Sequence, residues 1–172
     1  MNINLFFIVI ISGLFTIFFL FKPLEQTKQK FDEIPMLELK DFKLSELNTK
    51  GLTSVTNGII GIRYSDRYTV TNLDYIDNSR KFISHIQSNN GLYKGNDLFL
   101  NGDVEYERED GISFKTQKAK YNEKTKIMQS LTKYVSYVGE NRATGSYLEY
   151  NNETGISKSK NVTINYKLKE SK

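Results

Sequence analysis

His85 is the only histidine of the chain, and there is no cysteine. A zinc site needs several nitrogen or sulfur ligands at set spacings, and none stands near His85. Without cysteine there is no disulfide and no thiolate chemistry. A Ser-His-Asp arrangement stays open in principle, because serines and aspartates are plentiful, but the chain has no G-x-S-x-G elbow. It also lacks G-x-G-x-x-G, P-loop and C-x-x-C motifs. Glu105, Glu107, Glu109 and Asp110 crowd one short stretch. They could bind a cation, but a solvated hairpin end accounts for them more simply. Asn152-Glu-Thr and Asn161-Val-Thr fit the glycosylation sequon, a pattern short enough to arise by chance. The expectation is a protein that is not an enzyme, with no catalytic residues, no metal site and no cofactor. The chemistry that remains is amphipathic. All eleven tyrosines fall between Tyr64 and Tyr166. They can serve as the core and rim of a pleated surface. They can equally line an apolar groove with a polar mouth.

Two kinds of element must carry these residues. No charged side chain precedes Lys22, and Ile3–Phe21 is broken only by Asn4, Ser12, Gly13 and Thr16. An apolar run of this length spans a hydrocarbon core of about 30 Å as a helix, whose backbone satisfies its own hydrogen bonds in lipid. A cleaved signal peptide would want a basic start and small residues at a cleavage site. Here Phe18–Pro23 offers no small residue, so residues 1–21 read as an uncleaved transmembrane anchor. Residues 22–35 read as a charged connector. Lys22, Lys28 and Lys30 follow the helix, and this bias alone points the body towards the cytoplasm.

Residues 36–172 make one domain long enough to bury a core. The net charge of +4 lies wholly there. It suits an anionic lipid surface no better than it suits an ordinary soluble surface, and no basic run suggests nucleic acid. The only prolines are Pro23 and Pro35. Proline cannot donate to a sheet ladder, so its absence further on fits a body built of strands. Turn residues recur at Asn57-Gly58, Asp77-Asn78-Ser79, Asn89-Asn90-Gly91, Gly95-Asn96-Asp97, Asn101-Gly102-Asp103, Glu109-Asp110-Gly111, Asn122-Glu123-Lys124, Gly139-Glu140-Asn141 and Asn151-Asn152, as in a sandwich, roll or barrel. Val162, Ile164, Tyr166 and Leu168 alternate with polar neighbours, as do Leu98, Leu100, Val104 and Tyr106, and Ile60, Ile62 and Tyr64. Such strands have one apolar face. Phe42, Leu44 and Leu47 suggest at most a short helical turn. Asn72–Ser84 is echoed by Lys118–Ser130, each strand, turn, strand.

Three segments together resemble the LptC family of lipopolysaccharide-export proteins. Phe114, Thr116, Ala119, Tyr121 and Asn122 fit its L/F-x-T-x-x-A-x-Y-D hairpin. Thr144, Gly145, Leu148 and Tyr150, followed by Asn161-Val162, fit its small-G-x-x-L-x-Y and N-V strands. Leu98, Leu100, Gly102 and Val104 are similar to its L-x-L-x-G-x-V strand. The anchor, the Pro35–Leu39 start and Arg63-Tyr64 also fit, so the likeness covers nearly the whole chain. Asn122 stands where the family often has Asp, and the basic flank after the anchor departs from a body placed in the periplasm.

The resemblance implies an all-β, twisted, open jellyroll of the OstA/LptA-like kind on one inner-membrane helix. It implies a non-enzymatic, single-pass protein with its C-terminal domain in the periplasm. Such a protein accepts lipopolysaccharide from an inner-membrane ABC transporter and passes it to a soluble LptA-like bridge towards the outer membrane. The alternative is an envelope scaffold whose core is filled by its own side chains. An envelope enzyme acting on a glycan or lipid is a distant third. Alternation assigns Ile60, Ile62, Val70, Phe82, Leu98, Leu100, Val104, Phe114, Val135, Tyr137, Leu148, Val162 and Ile164 to the lipid groove, and a single bulge reverses any one strand. Family likeness assigns Asn161, Val162, Thr163, Ile164, Asn165 and Tyr166 to a C-terminal edge that docks the bridge by strand addition.

Overall fold

The computed structural model describes residues 33–49 and 51–167. The expected anchor, the connector as far as residue 32, and Leu168 of the C-terminal run lie outside them. Among the described residues no helix is long and apolar enough to cross a membrane. They form twelve strands: β1 (Leu37–Asn48), β2 (Gly51–Arg63), β3 (Arg67–Asp77), β4 (Ser84–Lys94), β5 (Asp97–Arg108), β6 (Ile112–Asn122), β7 (Ile127–Ser130), β8 (Tyr134–Val138), β9 (Asn141–Gly145), β10 (Tyr147–Asn151), β11 (Ser157–Lys160) and β12 (Thr163–Asn165). Phe42, Leu44 and Leu47 belong to β1, not to a helical turn.

Every pairing is antiparallel, and each strand from β1 to β6 pairs with the next. Beyond β6 the sheet forks. The second half of β6 pairs with β7, followed by β10 and β11; its first half pairs with β8, followed by β9 and β12. The fork arises because the chain breaks strand at 131–133, at Ser146 and at Asn161-Val162.

These breaks continue as one line across the whole sheet. Asp41 faces Ile59 between the pairs Lys40–Ile60 and Phe42–Gly58. The line then crosses Asn72, Asn89, and the bulge at Gly102-Asp103 opposite Gln117. Asp41, Asn72, Asp103 and Asn161 are all left-handed, with φ of 46°, 53°, 45° and 52°, and Gly102 has φ 80°. Asn and Asp tolerate this region better than other side chains. So Asn57-Gly58, Asn89-Asn90-Gly91 and Asn101-Gly102-Asp103, which look like hairpin ends, mark a crease inside β2, β4 and β5. The other turn signals do end strands, and the hairpins alternate between two rims.

The crease divides the body into two walls. The first holds the start of β1, β3 and β5, the end of β2, β4 and β6, and β7, β10 and β11. The second holds the complementary halves and β8, β9 and β12. The walls fold towards each other. Arg80, on the loop at the second wall's rim, interacts with Tyr121 of the first wall, which a flat sheet would hold several strands and residues away. The two echoed segments, Asn72–Ser84 and Lys118–Ser130, both leave the crease, turn at a rim and return, on opposite walls.

On its outer side the crease is tied by polar side chains. Asn89 Nδ2 donates to Asp103 Oδ2 (3.1 Å) and Gln117 Nε2 donates to Asp103 Oδ1 (2.8 Å). These bonds hold the Asp103 carboxyl below the usual carboxylate range. Asp97, bonded by Asn122 and then Lys120, and Asp110, bonded by Arg108, share that direction. A depressed folded value stabilises the protein above the unfolded value of about 3.9, and that contribution is lost as pH falls through the folded value. Thermal melts should therefore be level near neutrality and fall below about pH 4. Asp103→Asn, which keeps the left-handed backbone accessible, should flatten part of that fall.

Candidate functional site: the inner face of the folded sheet

Directly opposed residues share a face, so the ladder fixes what lines the inside. Leu98 opposes Tyr93 and Tyr121, and Leu100 opposes Gly91 and Ala119; Val104 opposes Thr116, and Tyr106 opposes Ile86 and Phe114. Leu73, Leu100, Val104 and Ala119 form one buried cluster along the crease, packed by Val70, Tyr75, Ile86 and Leu98. It joins residues of both walls. The floor is built of small residues. A Cβ on Gly58 would lie 2.6 Å from Val70 Cγ1 and 2.8 Å from the Phe42 ring, and one on Gly91 3.1 Å from Leu73 Cδ2. Buried Thr116 and Ser130 share a 2.9 Å hydrogen bond across the crease, and Ser130 Oγ donates to the Thr132 carbonyl. Tyr134 Oη and Ser159 Oγ bond at 2.8 Å from opposite walls.

Burial falls away from this floor. Val104 is 2 % exposed and Tyr106 is half-buried; Tyr134 is 4 % exposed, Ser136 is half-buried and Val138 is 57 % exposed. Leu73 and Val70 lie at the floor of β3, while Tyr68 at its rim is 47 % exposed. On β1 the inward Leu37, Leu39 and Leu44 are all exposed. Ser54 and Ser84, which flank Asp77 in the ladder beside the loop at 78–83, are the exceptions at the rim. The result is a trough, closed at the crease and open at its rims. Its upper walls carry Tyr68, Tyr75, Tyr93, Tyr106, Tyr121 and Tyr150. Burial raises the pKa of Tyr75 and Tyr106, so the phenols there stay neutral. Tyr121 Oη is enclosed, with no hydrogen bond among the described residues closer than its loose approach to Arg80.

The residues expected to line a groove divide into three sets. Val70, Leu98, Leu100, Val104, Phe114, Leu148 and Ile164 lie on the inner face. Ile60 and Ile62 oppose Thr71 and Thr69 on the other face, and Val135 and Tyr137 oppose Lys115 and Ser113 there. In β2 the inward positions are Gly58 and Gly61, which make room for Phe42. Ile60, between them, and Ile62, just after Gly61, therefore point out. Phe82 lies in the 78–83 loop and Val162 between β11 and β12. Of the upper-wall tyrosines only Tyr106 stood in an alternating run; Tyr68, Tyr75, Tyr93, Tyr121 and Tyr150 escaped it because each sits beside a charged residue in sequence.

At the C-terminal edge, Thr163, Ile164 and Asn165 form β12, paired only with β9 among the described residues. Asn161 lies on the crease, where its Nδ2 donates to Ser146 Oγ (2.9 Å), and Tyr166 follows the strand, 68 % exposed. Strand β1 is the edge at the other end.

The groups considered for catalysis are outside the trough or held in pairs. His85 Nε2 hydrogen-bonds Asp74 Oδ1 on the outer face. Glu105 pairs with Lys115 at 2.8 Å, and Asp110 grips Arg108 through two bonds of 2.7 and 2.8 Å. Glu109 accepts from the Ile83 amide at 3.3 Å.

A family model described as lipopolysaccharide-assembly, LptC-related, matches residues 5–167. No curated protein sequence matches the chain. Among solved structures, the chain is similar to the crystal structure of LptH, the LptA homologous periplasmic component of the conserved lipopolysaccharide transport device from Pseudomonas aeruginosa. The TM-score is 0.46 and the identity 10 %, over 80 % of this chain and 99 % of that one.

Proposed function

Since the chain belongs to the LptC-related family of lipopolysaccharide-assembly proteins, we propose that its trough carries lipopolysaccharide, received from an inner-membrane ABC transporter and passed to a soluble periplasmic jellyroll bridge. In this reading it is a non-enzymatic, single-pass inner-membrane protein with its body in the periplasm. The observation that carries the proposal is the fall in burial from crease to rim. A self-filled scaffold would bury its inner rim residues against one another, yet Tyr68, Val138 and Leu37 are left exposed. Each methylene that leaves water is worth about 0.8 kcal/mol. A lipid with several acyl chains therefore gains most from a continuous apolar surface along which it never re-enters water.

The test is equilibrium binding of lipopolysaccharide to the full chain in detergent, with Leu100→Glu as the blocked form. No binding by the wild type would end the carrier reading. A reporter fused after Lys172 should work only outside the cytoplasm, against the bias of Lys22, Lys28 and Lys30.

Handover requires an open strand edge, and among the described residues β12 has one. Ile164→Pro removes a backbone donor from that three-residue strand. It should lower capture of the bridge protein in pull-downs by about tenfold while lipid binding persists. Undiminished capture would move the contact to another edge.

A further inference from the structure

Where the trough opens, one cation stands between the walls. Arg80 comes from the 78–83 loop at the second wall's rim. Its charge is acted on by Tyr121 of the first wall and Tyr106 of the second. Its side chain is about half exposed, and its one carboxylate contact among the described residues, Nε to Asp77 Oδ2, is a loose 3.6 Å. Asp77 is otherwise committed, since its Oδ1 accepts from the Ser79 amide (2.8 Å) and hydroxyl. Arg108 is held bidentately by Asp110, and Glu46 is held by Ser54 Oγ at 2.6 Å. Beside Arg80, Lys81 lies over the Phe82 ring at 5.0 Å, with no carboxylate partner among the described residues. Tyr121 Oη, enclosed in the same opening, lies within loose hydrogen-bonding reach of Arg80 and makes no closer hydrogen bond among the described residues. Thus a half-exposed guanidinium with only a loose carboxylate contact reaches the Tyr121 phenol above an apolar floor, and a second cation, Lys81, follows it on the same loop.

Guanidinium matches phosphate oxygens through paired, planar N–H bonds. A phenol adds a neutral donor. We propose that Arg80, with Tyr121 and Lys81, is the site where the trough mouth takes a phosphate of the lipid's headgroup while the acyl chains lie on the floor beneath. This rests on the lipid-carrying reading and adds which part of the lipid the mouth recognises. Phosphate on a lipid and free phosphate share this chemistry, so the experiment must separate them.

Full-length chain in nanodiscs is titrated with diphosphoryl lipid A and with the same lipid stripped of its phosphates. Wild type should prefer the phosphorylated form by about tenfold. Arg80→Gln should abolish that preference by weakening only the phosphorylated form, Arg80→Lys should keep part of it, and Tyr121→Phe, which deletes one oxygen, should reduce it a few-fold. Thermal melts of each variant report folding. Equal binding of both lipids by wild type would overturn the site and leave lipid carriage standing. So would equal loss of both lipids in Arg80→Gln, which would make the loop a wall of the trough only. Competition by inorganic phosphate as strong as that of the phosphorylated lipid would overturn the headgroup assignment. Failure of wild type to bind either lipid would overturn carriage and this site together.

Discussion

A photoreactive residue at Leu98 is expected to capture lipopolysaccharide in cells that depend on this chain, while the same residue at Phe99 captures none. The two positions are neighbours on β5 with opposite facing. Leu98 opposes Tyr93 and Tyr121 on the inner wall. Phe99 opposes Leu92 and Lys120 outside, with Lys120 Nζ 5.2 Å from its ring. Leu98 is only partly buried and stands one step up from the floor, so a bulky substitute there reaches the trough without displacing Leu100 from the crease. A pair on the second wall, Tyr106 against Glu107, should repeat the contrast. The expected difference is all or none, because a lipid on the apolar floor never meets the outer face. Equal capture at both positions would put the lipid outside the sheet.

The class of the fold was legible because its causes are local. Proline is absent from the body, apolar residues alternate, and turn residues sit where Gly95-Asn96, Asp110-Gly111 and Gly139-Glu140 do turn the chain. The crease was not legible, because its residues are the same types that make hairpins. A left-handed Asn72 or Asp103 in mid-strand differs from one at a strand end only by having partners on both sides, and partners are a tertiary fact. The facing of the strands failed to read through for the same reason. Alternation assumes that apolar means inward, but β2 keeps glycine inward under Phe42 and turns Ile60 and Ile62 out. Arg80 carried no signal at all in sequence, as its position depends on how far the walls close over one another.

Phe114→Ala should be the most damaging single truncation on the inner face. Phe114 is 3 % exposed, between Tyr106 and Ser136 in the ladder, and stacks on Tyr134 with ring centroids 5.8 Å apart. Losing a buried Phe side chain costs about 3–5 kcal/mol, transfer and cavity together, against a total stability of about 5–15 kcal/mol for an ordinary domain. Urea unfolding followed by tyrosine fluorescence, the chain having no tryptophan, should show the midpoint fall with the slope kept. By contrast, Val138→Ala at the rim should change stability by no more than about 0.5 kcal/mol, as exposed substitutions do. This asymmetry follows from the trough itself. Rim side chains left free for a guest cannot also hold the protein together, so the fold depends on a narrow strip beside the crease, where Leu73, Leu100, Val104 and Ala119 pack on one another and Phe114 stacks on Tyr134. If Phe114→Ala cost under about 1 kcal/mol, stability would be spread over both walls. The inner face would then be packed by its own side chains, which leaves no surface for a lipid to occupy.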